Sequence, residues 1–345
     1  MEVHGLVSGE ATSDAPMKDV AWIVPPDNPE SMSSYRYNAF IPAGKLGGQV
    51  LFFDQGDPDA FLDAHDLRAL IICKPVVQTP ELEQHHPLVD LAAASRRRGL
   101  AVCFHICDWH FDQPTYRKLT DLANLIVVQT EPIAAAVIEH FQRKPVIIEE
   151  PYEGPRGRAR FKPRKTLKLV WYGHASNLDT LGVGLQQLHG LSHVFKLSII
   201  TNDMDSARVI FGSVPKPPYL VERAIIPFTL ERQWRELEAA DAVIIPGYYA
   251  KEKIVKGHNR LVQSIHSGRL AAVFPLPQYL ELEDYCICGE DIAEGLTWAL
   301  NNRMQVQKRV RAGQEYLDKR FSPAVVAGRW REELTALIEA VPNVL

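Results

Sequence analysis

Short apolar runs alternate with stretches of helical spacing along most of this chain, a rhythm that predicts parallel sheets covered by helices. Runs at 21–24, 50–53, 70–73, 100–106, 125–128 and 146–148 read as buried strands, each short, apolar and bounded by polar or turn residues. Between them, 87–98 reads as a helix closed by Gly99, and 131–141 carries Ile133, Val137 and Phe141 at helical spacing. Pro42 predicts that the helix after Tyr35 is short or kinked. Residues 149–166 then break the rhythm with prolines, glycines and charge. A second series follows at 167–172, 195–200, 224–226, 242–245 and 270–274, with Asn177 as the expected N-cap of a helix over 178–188. The last segment, 323–341, aligns Val326, Trp330, Leu334, Leu337, Ile338 and Val341 on one stripe and predicts an amphipathic helix. The expected architecture is α/β: two Rossmann-like doubly wound domains, 17–150 and 167–320, facing a cleft, with a linker at 151–166 and a closing helix within 321–345.

Composition narrows the function. A length of 345 residues suits two ordinary domains, and 46% hydrophobic content supports a core in each. The 38 basic and 42 acidic residues leave a net charge of −4, which argues against nucleic acid as a partner. The first 16 residues lack the basic start and apolar core of a signal peptide, and no apolar run approaches a membrane span, so the expected location is the cytoplasm. Five cysteines without a C-x-x-C pair are expected as reduced thiols.

The chemistry concentrates between Asp241 and Tyr279. Two strands there flank a long loop and a helix expected from Asn259 to Gly268, with Leu261 and Ile265 on one side and Asn259, Gln263 and His266 on the other. Ligands of open α/β sheets sit beyond the carboxyl ends of the strands, and a helix start offers free N–H groups to phosphate. Lys256, His258 and Arg260 add positive or titratable groups at that place.

These residues carry a resemblance. Lys256, Asn259-Arg260-Leu261, Ser267-Gly268-Arg269, Pro275-Leu276-Pro277 and Tyr279 resemble the nucleotide-sugar segment of GT-B glycosyltransferases, especially the retaining family four. Trp171 to Asn177 resembles the strand and phosphate-side loop that open that fold's second domain, and Phe321-Ser322-Pro323 through Trp330 resembles its closing helix. The resemblance implies a donor site in the second domain that needs no cofactor and no metal, the nucleotide sugar being a co-substrate. Retaining members carry two glutamates eight positions apart; Val255 and Gln263 stand in those places here. Gln263 is expected at the donor ribose, and a glutamate restored at Val255 is expected to add charge close to the sugar.

The remaining candidates have plainer explanations beside them. Gly173 and His174 end the first strand of the second domain, where backbone can approach phosphate, and Asn202 holds a similar strand-end position; each also suits an ordinary turn. Asp108 and His110 follow a strand of the first domain and are expected to face the acceptor, as base or as orienting group. Zinc at Cys103, His105 and Cys107 is set aside because their spacing matches no common ligand pattern. Lys74, Tyr35 and Arg36 are expected on the acceptor side, Lys74 equally as a charge reaching solvent. Arg156, Arg158, Arg160, Lys162, Arg164, Lys165 and Lys168 form a run without an acid, which reads as a solvated linker or as a contact for anionic lipid on the inner face of a membrane.

The first expectation is therefore a glycosyltransferase that moves a sugar from a nucleotide-diphosphate sugar to a hydroxyl of a glycan or glycolipid. Lys256 and Arg260 would stabilise the departing diphosphate. A binding or scaffold protein without chemistry, and a nucleotide-sugar epimerase on the same fold, are the alternatives.

Overall fold

Strands that are buried on both faces must be covered by helices on both, and the first half of the chain is built this way. The structure, a computed structural model, describes residues 15–26, 29–75, 82 and 85–341. Strands β1 (Val20–Val24), β2 (Gln49–Phe52), β3 (Ala69–Cys73), β4 (Ala101–Ile106), β5 (Leu125–Val128) and β6 (Val146–Ile147) form a sheet in the order β2-β1-β3-β4-β5-β6, with parallel pairings. Alternate residues serve opposite faces. Ala21, Ile23, Val102 and Phe104 join one cluster, and Val20, Trp22, Val24, Ala101 and Cys103 the other.

The second sheet contains β7 (Leu167–Tyr172), β8 (Phe195–Thr201), β9 (Leu220–Pro227), β10 (Ala242–Ile245), β11 (Leu270–Val273) and β12 (Ile287–Cys288), in the order β12-β11-β10-β7-β8-β9, again parallel. β12 escaped the sequence reading because two residues carry no period. The two sheets are wound differently: strand order reverses between β1 and β3 in the first and between β7 and β10 in the second. Such switch points open a crevice at the carboxyl ends of the strands.

The helix Pro323–Ala340 belongs to the first domain by packing. Ser322 Oγ caps it by accepting from Val325 N at 3.3 Å, and Val326, Trp330, Leu334 and Ile338 lie in the cluster of Trp22, Ile71 and Cys103. Trp330 meets Trp22 edge to face, with ring centroids 6.0 Å apart.

The segment between the sheets is strapped to the second domain. The Gln263 amide takes both the N–H and the carbonyl of Glu153, at 3.1 and 2.8 Å. His266 stacks on Tyr152 at 3.8 Å, Gln314 donates to the Gly157 carbonyl at 2.8 Å, and Arg269 donates to that of Arg158 at 2.9 Å. From the first domain, Arg36 grips the Glu153 carboxylate through Nε and Nη2. Arg36 starts a π-helical stretch, Arg36–Phe40, that runs into a helix Ile41–Leu46 holding Pro42 in its first turn, where the missing N–H does no harm. Asn177 precedes the Leu178–Gln187 helix, yet its side chain makes no cap and Oδ1 instead accepts from Lys253 Nζ at 3.3 Å.

Candidate active site

The carboxyl ends of both sheets open on one cavity of about 600 Å³. Its first-domain wall follows β1, β3, β4 and β6, and its second-domain wall follows β7, β8, β9 and β10. Lys74, Asp108, His110 and Arg36 stand on the first wall; Gly173, His174, Asn202, Lys256, Asn259 and Arg260 stand on the second. Two expected residues lie outside it. Tyr35 is fully buried and donates to the Lys74 carbonyl at 2.9 Å, and the Gln263 amide is taken by Glu153. Both support the lining from behind.

Asp108 is the electrostatic centre. Lys74 Nζ lies 2.5 Å from one carboxylate oxygen, and Lys256 Nζ contacts the other across the cleft. Burial favours the neutral acid, but the two ammonium groups outweigh it and hold the carboxyl well below its usual range. A carboxylate so stabilised is a poor proton acceptor at neutral pH. Lys74 adopts φ 38°, a left-handed conformation rare for a residue with a side chain, and the Tyr35 hydroxyl fixes its carbonyl there.

His110 differs. Burial lowers its pKa, so its imidazole is neutral at pH 7, and its ring tilts against Tyr116 at 5.0 Å. Between the two candidates on the first wall, His110 is the one equipped to accept a proton. His174 is also pushed down by burial; its Nδ1 accepts from Ser176 N at 3.2 Å and closes the turn after β7. Asn202 Oδ1 braces that turn by accepting from Ala175 N at 2.8 Å.

On the second wall, Arg260 Nη1 is buried without a hydrogen-bond partner. A Cβ on Gly173 would lie 3.7 Å from that nitrogen and 3.0 Å from the Trp171 ring, so the missing side chain keeps bare backbone beside the guanidinium. Bare backbone and an unsatisfied cation at a strand end suit an anion.

Glu150 was missed in the sequence. It lies just beyond β6, is 3% exposed and lines the cavity; Oε1 accepts from Asn38 at 3.0 Å, while Oε2 has no partner. Burial raises its pKa. Its place beyond a strand end was the available signal, hidden because 149–166 reads as linker. Oε2 abuts Gly257, where an added Cβ would collide with it. Gly257→Ala is therefore expected to destabilise the protein by about 1–3 kcal/mol, read by urea unfolding.

Val255, one of the two places where the family resemblance expects a glutamate, is 2% exposed and packs in the apolar cluster of the first domain with Ile23, Ile72 and Phe104. It is absent from the cavity lining. The expectation that a carboxylate there would approach the sugar is thus corrected: the loop turns this side chain away into the interdomain core. Further afield, Cys103 and His105 are buried within the first sheet, and no group of three or more His, Cys, Asp or Glu among the described residues is arranged to hold a metal ion. No helix among them is long and apolar enough to cross a membrane.

No protein-family model and no curated protein sequence matches this chain. Solved structures do. Anabaena Alr3699/HepE in complex with UDP and glucose aligns with TM-score 0.64 at 13% identity, over 92% of this chain and 100% of that one. A glycosyltransferase from Rickettsia africae aligns with TM-score 0.61 at 10% identity, over 93% and 98%. An E. coli trehalose-6-phosphate structure bound with UDP-2-fluoro glucose aligns with TM-score 0.61 at 11% identity, over 94% and 99%. Two parallel-sheet domains, a shared cleft and nearly complete coverage of each neighbour give this chain the GT-B fold.

Proposed function

We propose that the protein is a glycosyltransferase that moves a sugar from a nucleotide-diphosphate sugar to a hydroxyl of a glycan or glycolipid. The observation that carries this reading is Arg260 Nη1, buried and unpartnered beside the bare backbone of Gly173 at the second sheet's switch point. A departing diphosphate would complete its hydrogen bonding and be stabilised by it as charge develops. The neighbours support the donor class, since one is in complex with UDP and glucose and another is bound with UDP-2-fluoro glucose.

In this reading Lys256 and Arg260 hold the diphosphate, and Asn259, His174 and Asn202 complete the donor wall. His110 takes the acceptor hydroxyl's proton while Lys74 and Arg36 shape the acceptor side. We extend the proposal to a relative of retaining family four with a hexose donor, no metal requirement and a cytoplasmic site; the resemblance of Lys256, Asn259, Arg260 and the Ser267-Gly268-Arg269 turn to that family's donor segment supports it. Arg260→Ala is expected to weaken nucleoside diphosphate by about 1.5–3 kcal/mol and the bare nucleoside far less, because only the former carries charge. Calorimetry with UDP and uridine, or the pair whose base binds best, checks it. Equal losses would remove Arg260 from the phosphates.

One observation favours the second reading, binding without turnover. Val255 faces a core, and the Gln263 amide is spent on Glu153, so neither glutamate position offers a carboxylate to the donor. Incubation with a panel of nucleotide sugars separates the readings: released diphosphate marks a transferase, and a bound but intact donor marks the binder.

Lipid contact by the basic run remains part of the proposal in a narrower form. Arg156 pairs with Asp318 and Arg160 donates to the Glu238 carbonyl, while Arg158, Lys162, Arg164, Lys165 and Lys168 stand exposed. Vesicles containing phosphatidylserine are expected to sediment the protein at low salt, less so at 0.5 M, and less after Arg158, Lys162 and Arg164 are replaced by Ser.

A further inference from the structure

Lys74 and Asp108 belong to the first domain and Lys256 to the second, so the Asp108–Lys256 pair is made across the cleft. Lys256 lies on the loop leading to Arg260, and its side chain is 37% exposed where that of Asp108 is 13% exposed. The more accessible member of the pair is thus the cation that the donor reading assigns to the diphosphate. That ammonium already has an anion within the protein itself.

We propose that Asp108 is an internal stand-in for the donor's diphosphate, holding Lys256 until the nucleotide displaces it. The inference rests on the donor reading given above. Lys74 makes the exchange feasible. When Lys256 turns to the diphosphate, Asp108 keeps a second ammonium at 2.5 Å, so no buried carboxylate is left unpaired. The same arrangement keeps Lys256 from standing alone in a cleft that also holds Lys74 and the unpaired Arg260 Nη1. If Asp108 instead served only to aim Lys256 at the phosphates, the carboxylate and the diphosphate would act together and its loss would weaken binding. The two roles differ in sign.

The test is a double-mutant cycle read by calorimetry. UDP, GDP, ADP and dTDP are titrated into the full-length wild-type protein, and the tightest of them is carried to Asp108→Asn, Lys256→Met and the double variant. Asp108→Asn is expected to tighten the diphosphate about tenfold, and this gain is expected to vanish once Lys256 is methionine. Asp108→Ser, which leaves no amide to bridge the two lysines, is expected to give the same result and covers a folding defect peculiar to asparagine. Weaker binding in both Asp108 variants overturns the proposal, as does a gain that persists without Lys256. If no diphosphate binds the wild type or any variant, the donor reading itself falls, an outcome visible in the wild-type titration alone.

Discussion

Val255→Glu is expected to destabilise the protein by about 4 kcal/mol at pH 7 and by about 1 kcal/mol at pH 5. Val255 reaches from the second domain into the apolar cluster around Ile23, Ile72 and Phe104, surroundings that disfavour the charged form of a new carboxylate. A glutamate there folds as the neutral acid, and protonating a carboxyl of ordinary pKa about 4.3 at pH 7 takes about 1.36 kcal/mol for each of roughly 2.7 units. The raised folded-state pKa fixes the sign: the penalty shrinks as pH falls toward the unfolded value. Urea unfolding of wild type and variant at both pH values measures it. A penalty that does not change with pH would mean that the carboxylate had reached water, and Val255 would then lie outside the interdomain core.

His105 sets the second large effect. Both ring nitrogens are buried without partners beside Trp330, and burial pushes the pKa down to about 3, with Asp108 a smaller opposing influence. The unfolded chain takes up the proton near 6.5 and the folded protein only near 3, so stability falls as pH drops through that window, by about 1.4 kcal/mol per unit. His110, His174 and His266 are also lowered and act in the same direction, whereas the raised Glu150 carboxyl opposes them. Replacing His105 by Leu isolates its share. Between pH 6.5 and 5 the variant is expected to lose about 2 kcal/mol less than wild type in urea unfolding. Parallel losses would show that His105 finds a proton partner in the folded state.

The sheets were readable because a doubly covered strand leaves a strong local mark. The apolar runs at 125–128, 167–172 and 242–245 coincide with β5, β7 and β10 residue for residue. The cavity wall was legible for the same reason, since strand ends are where loops meet a crevice, and that rule alone brings Lys74, Asp108, Gly173 and Asn202 together. Side-chain direction was not legible. Helical spacing puts Gln263 on a polar stripe, but periodicity cannot tell a stripe facing ligand from one facing the chain's own backbone at Glu153. Val255 sits in a loop, where no period exists to show that it plugs a distant core. Nor does sequence reveal that the anion nearest Lys256 is Asp108, since their pairing joins positions in different domains.

The closing helix has a consequence for how the chain is made. Trp22, Ile71 and Cys103 lie in the first sheet, yet Val326, Trp330 and Leu334, which cover that face, emerge from the ribosome far later. At ordinary elongation rates, roughly 5–20 residues per second, one side of a finished sheet waits for tens of seconds, open to chaperones or to neighbouring nascent chains. A reordered gene that encodes residues 322–341 ahead of residue 15 would close that interval. Arg331 already donates to the Ala15 carbonyl at 2.7 Å, so the helix and the segment leading into the first strand lie side by side.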